Sequence, residues 1–316
     1  MSSRLREMAA GLGLHGVADI QICGATSTNE AYQYWHKYAN AHQDVFHTSL
    51  VTAEAALTAN RNDVLMFTPE NHTLAATLTW SNNMTHLIGM YPPTMMNMRS
   101  RIGHAVTLDP LINVTGYGCS LQNIYTMYGT DNATDLTCLK VTGNRNTFKH
   151  CHFLCQHDTP MDEATFKMLH FTETSPTDGL EHYFDHCTVS AQASTMTDGE
   201  LIKINGTPRL IFEDCNFLMT TDAADPRFMD STAGDGAGFV IFKNCVLHNF
   251  GTSLLYAFGS TSTAAGTDYL LVGDTTIGGV DDVIAAADEA KTFYPARVGV
   301  TEDAYAGLSI PIDQTG

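Results

Sequence analysis

The chain has 316 residues, 44% of them apolar, with 34 acidic against 16 basic side chains and a net charge of −18. That length and apolar content fit one long folded domain or two ordinary ones and exclude a disordered chain. So acidic a surface repels phosphate backbones and anionic lipid, so no nucleic-acid or membrane partner is expected, and no run of 18 apolar residues marks a transmembrane helix.

The first twenty residues, MSSRLREMAAGLGLHGVADI, carry two arginines but no sustained apolar core, a poor secretory signal that predicts synthesis inside the cell. In residues 31–46, AYQYWHKYANAHQDVF, the residues Tyr32, Trp35 and Tyr38 recur at helical spacing. They are the candidate partner-binding face, unless they pack on the body of the protein. Residues 48–60, TSLVTAEAALTAN, are good helix formers behind a Thr/Ser cap. The following NDVLMFTPENHTL reads as a strand and a turn.

From residue 111 onward the sequence repeats. Residues 147–153 read TFKHCHF, 183–189 YFDHCTV, 211–217 IFEDCNF and 241–247 IFKNCVL. Extended in both directions, one slot holds Leu121, Phe148, Phe184, Phe212, Phe242 and Val272, and the other holds Ile124, Cys151, Cys187, Cys215, Cys245 and Thr275. Short alternating stretches precede five of the six slot pairs: LINV at 111–114, CLKV at 138–141, MLHF at 168–171, LIKI at 201–204 and LLYAF at 254–258. Alternation marks strands with one buried face, and Gly116, Gly143, Gly179, Gly206, Gly238 and Gly266 fall in the connections.

One such repeat cannot bury its apolar face alone, whereas stacked repeats make a continuous core. The expected fold is all-β: a single-stranded right-handed parallel β-helix, with an aromatic ladder and a thiol ladder inside it. A propeller is the competing architecture, but its blades need four strands in about 40–45 residues, more than these spacings supply. Four of eight cysteines occupy one repeated slot, which argues for small buried thiols rather than disulfides. Residues 280–290, VDDVIAAADEA, read as a helix capping the far end. The expected organisation is an N-terminal arm over 1–47, the coil over 48–278 with its capping helix at 48–60, and a cap helix and extended arm over 279–316.

The order of capping helix, aspartate-led strand and proline turn, followed by LIGMYPP at 87–93, resembles the opening of pectin-lyase-like β-helices. The resemblance covers roughly residues 45–280 and implies a fold shared by polysaccharide lyases, glycoside hydrolases and viral spikes. Within it the chain resembles bacteriophage virion proteins. That implies a structural head-decoration (cement) protein on the capsid exterior, made in the host cytoplasm, with the major capsid protein and its own copies, as a homotrimer, for partners. The alternative is a tailspike-type polysaccharide depolymerase or other carbohydrate-active β-helix, hydrolase or lyase.

An enzyme of that kind needs paired carboxylates. Acidic residues cluster at Asp158, Asp162, Glu163, Glu173, Asp178, Glu181 and Asp185, and again at Asp222, Asp225, Asp230 and Asp235. If the chain is an enzyme, the candidate catalytic set is Asp158, Asp162, Glu173, Asp178, Glu181, Asp222 and Asp225; as a surface pattern they are solvated loop carboxylates. The polygalacturonase-like set is absent, because Gly103-His-Ala replaces Gly-His-Gly and the only Asp-Asp pair, Asp281-Asp282, falls in the expected cap helix. Arg209 and Arg227, near Asp214, Asp222 and Asp225, are read as ion-pair partners. His150 and His152 are expected to point outward from one strand, and neither a metal nor a cofactor is expected.

Overall fold

In the computed structural model the chain winds into a right-handed parallel coil. The structure describes residues 7, 10–11, 16–42, 45–93, 100–172, 180–192, 195–206, 208–223, 225–232, 238–251, 256–261, 269–280, 282–284, 292–293 and 299–301. Three parallel sheets run the length of the coil: sheet A with 11 strands, sheet B with 9 and sheet C with 8. One turn takes Asn146–Lys149 in sheet A, His152–Cys155 in sheet B and Lys167–Thr172 in sheet C. The chain then returns to sheet A as Leu180–Asp185, in register above the strand it left. The alternating segments identified in the sequence become the sheet C strands Ile112–Val114, Thr137–Val141, Lys167–Thr172, Glu200–Asn205 and Tyr256–Thr261. Leu254 and Leu255 of the last one, and Gly179 and Gly266, lie outside the described residues.

The aromatic slot is a single internal column. Phe148 pairs with Leu121 below and Phe184 above, and Phe212, Phe242 and Val272 continue the stack in register. Ring centroids are 4.3 Å apart for Phe148–Phe184, 4.9 Å for Phe184–Phe212 and 5.1 Å for Phe212–Phe242. All six side chains are fully buried, at a rise set by the distance between neighbouring strands, about 4.8 Å.

The thiol slot does more than fill space. Between sheets A and B each turn places one non-glycine residue in the left-handed region: Asn123, His150, His186, Asp214, Asn244 and Asp274, with φ between 47° and 56°. Asn, Asp and His tolerate that conformation best among side-chain-bearing residues. The bend reverses the direction of hydrogen bonding between turns. The amides of His150, His186 and Asp214 donate forward to Asp185, Glu213 and Lys243, whereas those of Thr188, Asn216 and Val246, two residues after a bend, donate back to Cys151, Cys187 and Cys215.

The slot amide between them faces a side chain instead of a carbonyl: Cys187 N donates to Cys215 Sγ at 3.4 Å, and Cys245 N to Thr275 Oγ1 at 3.2 Å. Each slot side chain also donates to the aromatic carbonyl of the preceding turn. Cys187 Sγ lies 3.5 Å from Phe148 O, Cys245 Sγ 3.3 Å from Phe212 O, and Thr275 Oγ1 3.3 Å from Phe242 O. The slot therefore selects a compact donor–acceptor, which explains why threonine substitutes for cysteine. Burial pushes the Cys187 and Cys215 thiols up, so they remain protonated and able to donate. All eight cysteines are free.

The ends depart from expectation. The capping helix is shorter than 48–60: Leu50–Glu54 is helical, and Ala56 and Leu57 bond back three residues to Ala53 and Glu54, closing it as a tight turn. It still covers the core, through Leu50, Ala53 and Leu57. Within the N-terminal segment 1–47, Ile20–Cys23 pairs with Val64–Phe67 as a strand of sheet A. At the far end Asp282–Ile284 is a strand paired with Tyr256 and Phe258, not the start of a helix. Gly299–Thr301 adds to sheet B in the same way. The free edge of a sheet offers unpaired amides, and pairing satisfies them where a helix would leave them open. Residues 285–290 lie outside the described residues.

Cys215→Asp puts a carboxylate inside the coil and removes the thiol that serves Phe184 O and Cys187 N. A loss of roughly 3 kcal/mol or more is expected, read as a collapse of the thermal melting temperature. A variant that melts with the parent would show that the slot is not interior.

Candidate functional site

Outward-facing residues stack as strictly as the core does. On sheet C one external column runs Asn113, Lys140, His170, Lys203, Asp230, each the in-register partner of the next. A neighbouring column runs Lys167, Glu200, Arg227. Strand alternation turns the first column out while Leu169, Ile202 and Met229 point in; the second column stands just before two consecutive buried residues on each strand, Met168–Leu169, Leu201–Ile202 and Phe228–Met229, where the alternation breaks. All seven from Lys140 to Arg227 are half-buried.

Lys203 lies between two carboxylates. Its Nζ hydrogen-bonds the Asp230 carboxylate and lies 3.6 Å from Glu200 Oε1. Burial would lower the Lys203 ammonium, but the Asp230 hydrogen bond and Glu200 raise it, so it stays charged. Burial acts the other way on Glu200, lifting its carboxyl from 4.5 to about 7 against the pull of Lys203. Glu200 is thus a group able to give or take a proton near neutrality. Gly259 lies over Asp230, where a Cβ would come within 2.5 Å of Asp230 Oδ1, so the close approach to the carboxylate requires glycine.

Of the seven sequence candidates, four lie in the connections from sheet B to sheet C, one projects from sheet A and two lie outside the described residues. Asp158, which opens the short helix Asp158–Met161, and Asp162, Asp222 and Asp225 are exposed residues of those connections. Asp162 accepts from Thr197 Oγ1 at 2.9 Å, and Asp158 from the Thr159 amide at 2.9 Å. Glu181 projects from sheet A between Arg145 and Arg209, at 2.8 Å from each, and the two guanidiniums hold its carboxyl below the ordinary range. An acid so clamped is a poor proton donor, and Arg209 serves as the ion-pair partner expected of it. Glu173, Asp178 and Asp235 lie outside the described residues. Glu200 was missed because a lone glutamate opening a strand carries no local signal; its neighbours arrive from other turns.

The histidine expectation is corrected. The left-handed bend at His150 breaks strand alternation, so His150 faces His186 at 5.2 Å on the A–B corner. His152 is buried against Tyr125 instead, at 4.9 Å. On that corner Asp185, His186 and Asp214 place one ligand atom each within 4.8 Å of one another. The cluster pairs internally: His186 Nδ1 is 2.6 Å from Asp185 Oδ1, a hydrogen bond that raises the imidazole, and the Asn244 amide donates to Asp214.

The aromatic helix Glu30–His42 lies against the coil. Trp35 is buried with Ile20, Ile22, Val64, Met66 and Ile88, Tyr38 packs against the same cluster, and Tyr32 meets Phe46 edge-on at 5.0 Å. Trp35 is therefore buried against the coil, while Tyr32 and Tyr38 keep part of their surface exposed.

No protein-family model and no curated protein matches this chain. Among solved structures the coil matches a pectin methylesterase variant in complex with a hexasaccharide, at a TM-score of 0.57 and 13% identity over 89% of both chains. Pectin methylesterase PemA from Erwinia chrysanthemi matches at 0.57 and 12% over 89% of both chains. The Aspergillus niger pectin methylesterase matches at 0.52 and 13%, over 90% of this chain and 86% of that one. At such identities the likeness is one of fold: this chain is a parallel β-helix of the pectin-lyase-like kind.

The sign of the Glu200 shift sets a pH dependence. Its folded value lies above the ordinary 4.5, so its contribution to stability is fully present below about 4.5 and is lost as pH rises through about 7. Glu200→Gln should cancel up to about 3 kcal/mol of that decline. Melting temperatures of parent and variant, measured across this interval, should converge at its acid end and separate at neutral pH in the variant's favour. Parallel curves would refute the assignment.

Proposed function

We propose that the chain is a carbohydrate-active β-helix that engages a glycan along the outer face of sheet C, with Glu200 as its proton-transferring group. The observation that carries this reading is the half-buried Glu200 carboxylate 3.6 Å from the ammonium of the Lys203–Asp230 pair, a burial that lifts the acid towards neutrality. Perturbed acids in such company concentrate at functional sites. A half-buried acid that remains partly protonated at neutral pH can protonate a leaving oxygen or accept a proton from an attacking group. Asp230, held by Lys203, supplies the second carboxylate that glycosidic chemistry uses. Further support comes from the fold, whose solved relatives include a pectin methylesterase complexed with a hexasaccharide.

Capsid decoration, with a major capsid protein and homotrimer partners, draws on the acidic composition, the non-repeating ends and the resemblance to phage virion proteins, and ranks second. It is recognisable by abundance: it requires many copies per particle in mass spectrometry of purified virions, and a handful would end it.

Turnover is the direct test. A panel of surface polysaccharides is incubated with the protein, and new reducing ends or unsaturated termini are measured. Glu200→Gln should cut the rate by about 100-fold or more with the fold intact, whereas Asp158→Asn and Asp222→Asn should leave it close to the parent. Activity indifferent to Glu200 would remove the reading.

A further inference from the structure

Sheet C has a second feature that proton transfer does not use. The external column places Lys140 and Lys203 on either side of His170, and Lys167 stands in the next column. Lys203 is neutralised by Asp230 and Glu200. Lys140 and Lys167 are not: among the described residues no carboxylate lies within ion-pair distance of either. Lys167 donates to Thr165 O at 2.6 Å and feels Asp109 and Glu200 only at longer range.

His170 between them is an uncharged donor. Asn205 Nδ2 lies 3.0 Å from His170 Nε2; with the amide NH2 donating in this orientation, Nε2 accepts and Nδ1 carries the ring proton. Burial and the repulsion of Lys167, Lys140 and Lys203 keep the ring neutral, with its value lowered to about 4. Two lysines with no carboxylate at ion-pair distance among the described residues thus share a half-buried stretch of sheet C with His170, in a chain whose net charge is −18.

We propose that Lys140, Lys167 and His170 form an oxyanion-binding cradle that takes a carboxylate or sulfate substituent of the glycan, next to Glu200. The inference rests on the glycan reading for its ligand but not for its geometry. An oxyanion there would accept charge-assisted hydrogen bonds from both lysines and a neutral one from the imidazole, and would remove the lysine–lysine repulsion. It would also fix the polymer's register, because the neighbouring column brings Glu200 beside Lys167 on the adjacent strand. The chain's net charge of −18 disfavours a densely charged polyanion, so the class selected is a glycan with spaced anionic groups.

The experiment follows the His170 ring signals of the full chain by NMR near neutral pH, with sodium sulfate and sodium acetate as probes at constant ionic strength. Saturable shifts are expected, and Lys140→Gln with Lys167→Gln should weaken apparent sulfate affinity by at least about tenfold. An unmoved ring, or shifts that chloride reproduces, would overturn the cradle. In a second arm a hexuronate oligosaccharide, a sulfated one and a neutral one of equal length are compared. Tighter binding of one acidic oligosaccharide, lost in the double variant, supports the proposal and identifies the group. Equal binding of all three, unchanged in the variant, refutes it while leaving the Glu200 reading intact. Absence of turnover with every polysaccharide would sink that reading without altering the sulfate result.

Discussion

The architecture depends on the hydrogen-bond reversal at the corner between sheets A and B. A left-handed residue there sends its amide forward to the next turn, and the residue two places on sends its amide back. The amide between them would be left unmade inside the coil, at a cost of about 1–3 kcal/mol per turn. A compact side chain that both donates and accepts removes that cost. Cys187 and Cys245 serve the Phe148 and Phe212 carbonyls while their own amides rest on the slot atom of the turn above. With the corner pinned, the phenyl rings fall in line at near strand spacing, and the turns cannot slip relative to one another.

That registration is what makes a site on the outside. Lys140, His170, Lys203 and Asp230 are separated by 27 to 33 residues, yet each is the direct neighbour of the next. No loop has to close over them and no hinge has to bring them together. The scaffold holds the side chains at fixed spacing, which is the preorganisation that electrostatic recognition needs. A slip of one residue on any turn would point Glu200 or His170 inward and expose Ile202 or Leu169. The thiol corner and the polar face are therefore parts of one constraint.

The same geometry explains what the sequence made legible. The Phe and Cys slots, the alternating strands before them and the coil they build could all be read, because each repeats and repetition survives without knowledge of neighbours. The polar residue before each cysteine repeats too, as His150, His186, Asp214 and Asn244, but its left-handed role shows only once hydrogen-bond directions are known. The proposed site residues do not repeat. Acidic density drew attention to Asp158, Asp162, Asp222 and Asp225, and density selects exposed connections between strands. Glu200 is perturbed because it sits on a strand, partly desolvated, among residues from turns above and below, a setting no local window displays. The C-terminal strand was read as a helix for a related reason: Ala-rich composition favours helix, but the open edge of sheet C gives Asp282–Ile284 better use for its backbone.

Two faces of one coil separate a decorative charge pattern from a working one. On sheet A the cations alternate with carboxylates: Arg145, Glu181 and Arg209 form one ladder, and Lys243 pairs with Glu213 while Lys149 lies 3.6 Å from Asp185. Such a face is electrostatically complete, and its pairs add little beyond solubility. Sheet C has the same spacing and the same alternation, yet its column runs Lys140, His170 and Lys203 before the first carboxylate appears at Asp230. Sheet A matches each exposed cation with a carboxylate, whereas on sheet C Lys140 and Lys167 have no carboxylate at ion-pair distance among the described residues, and the proposed glycan face rests on that contrast.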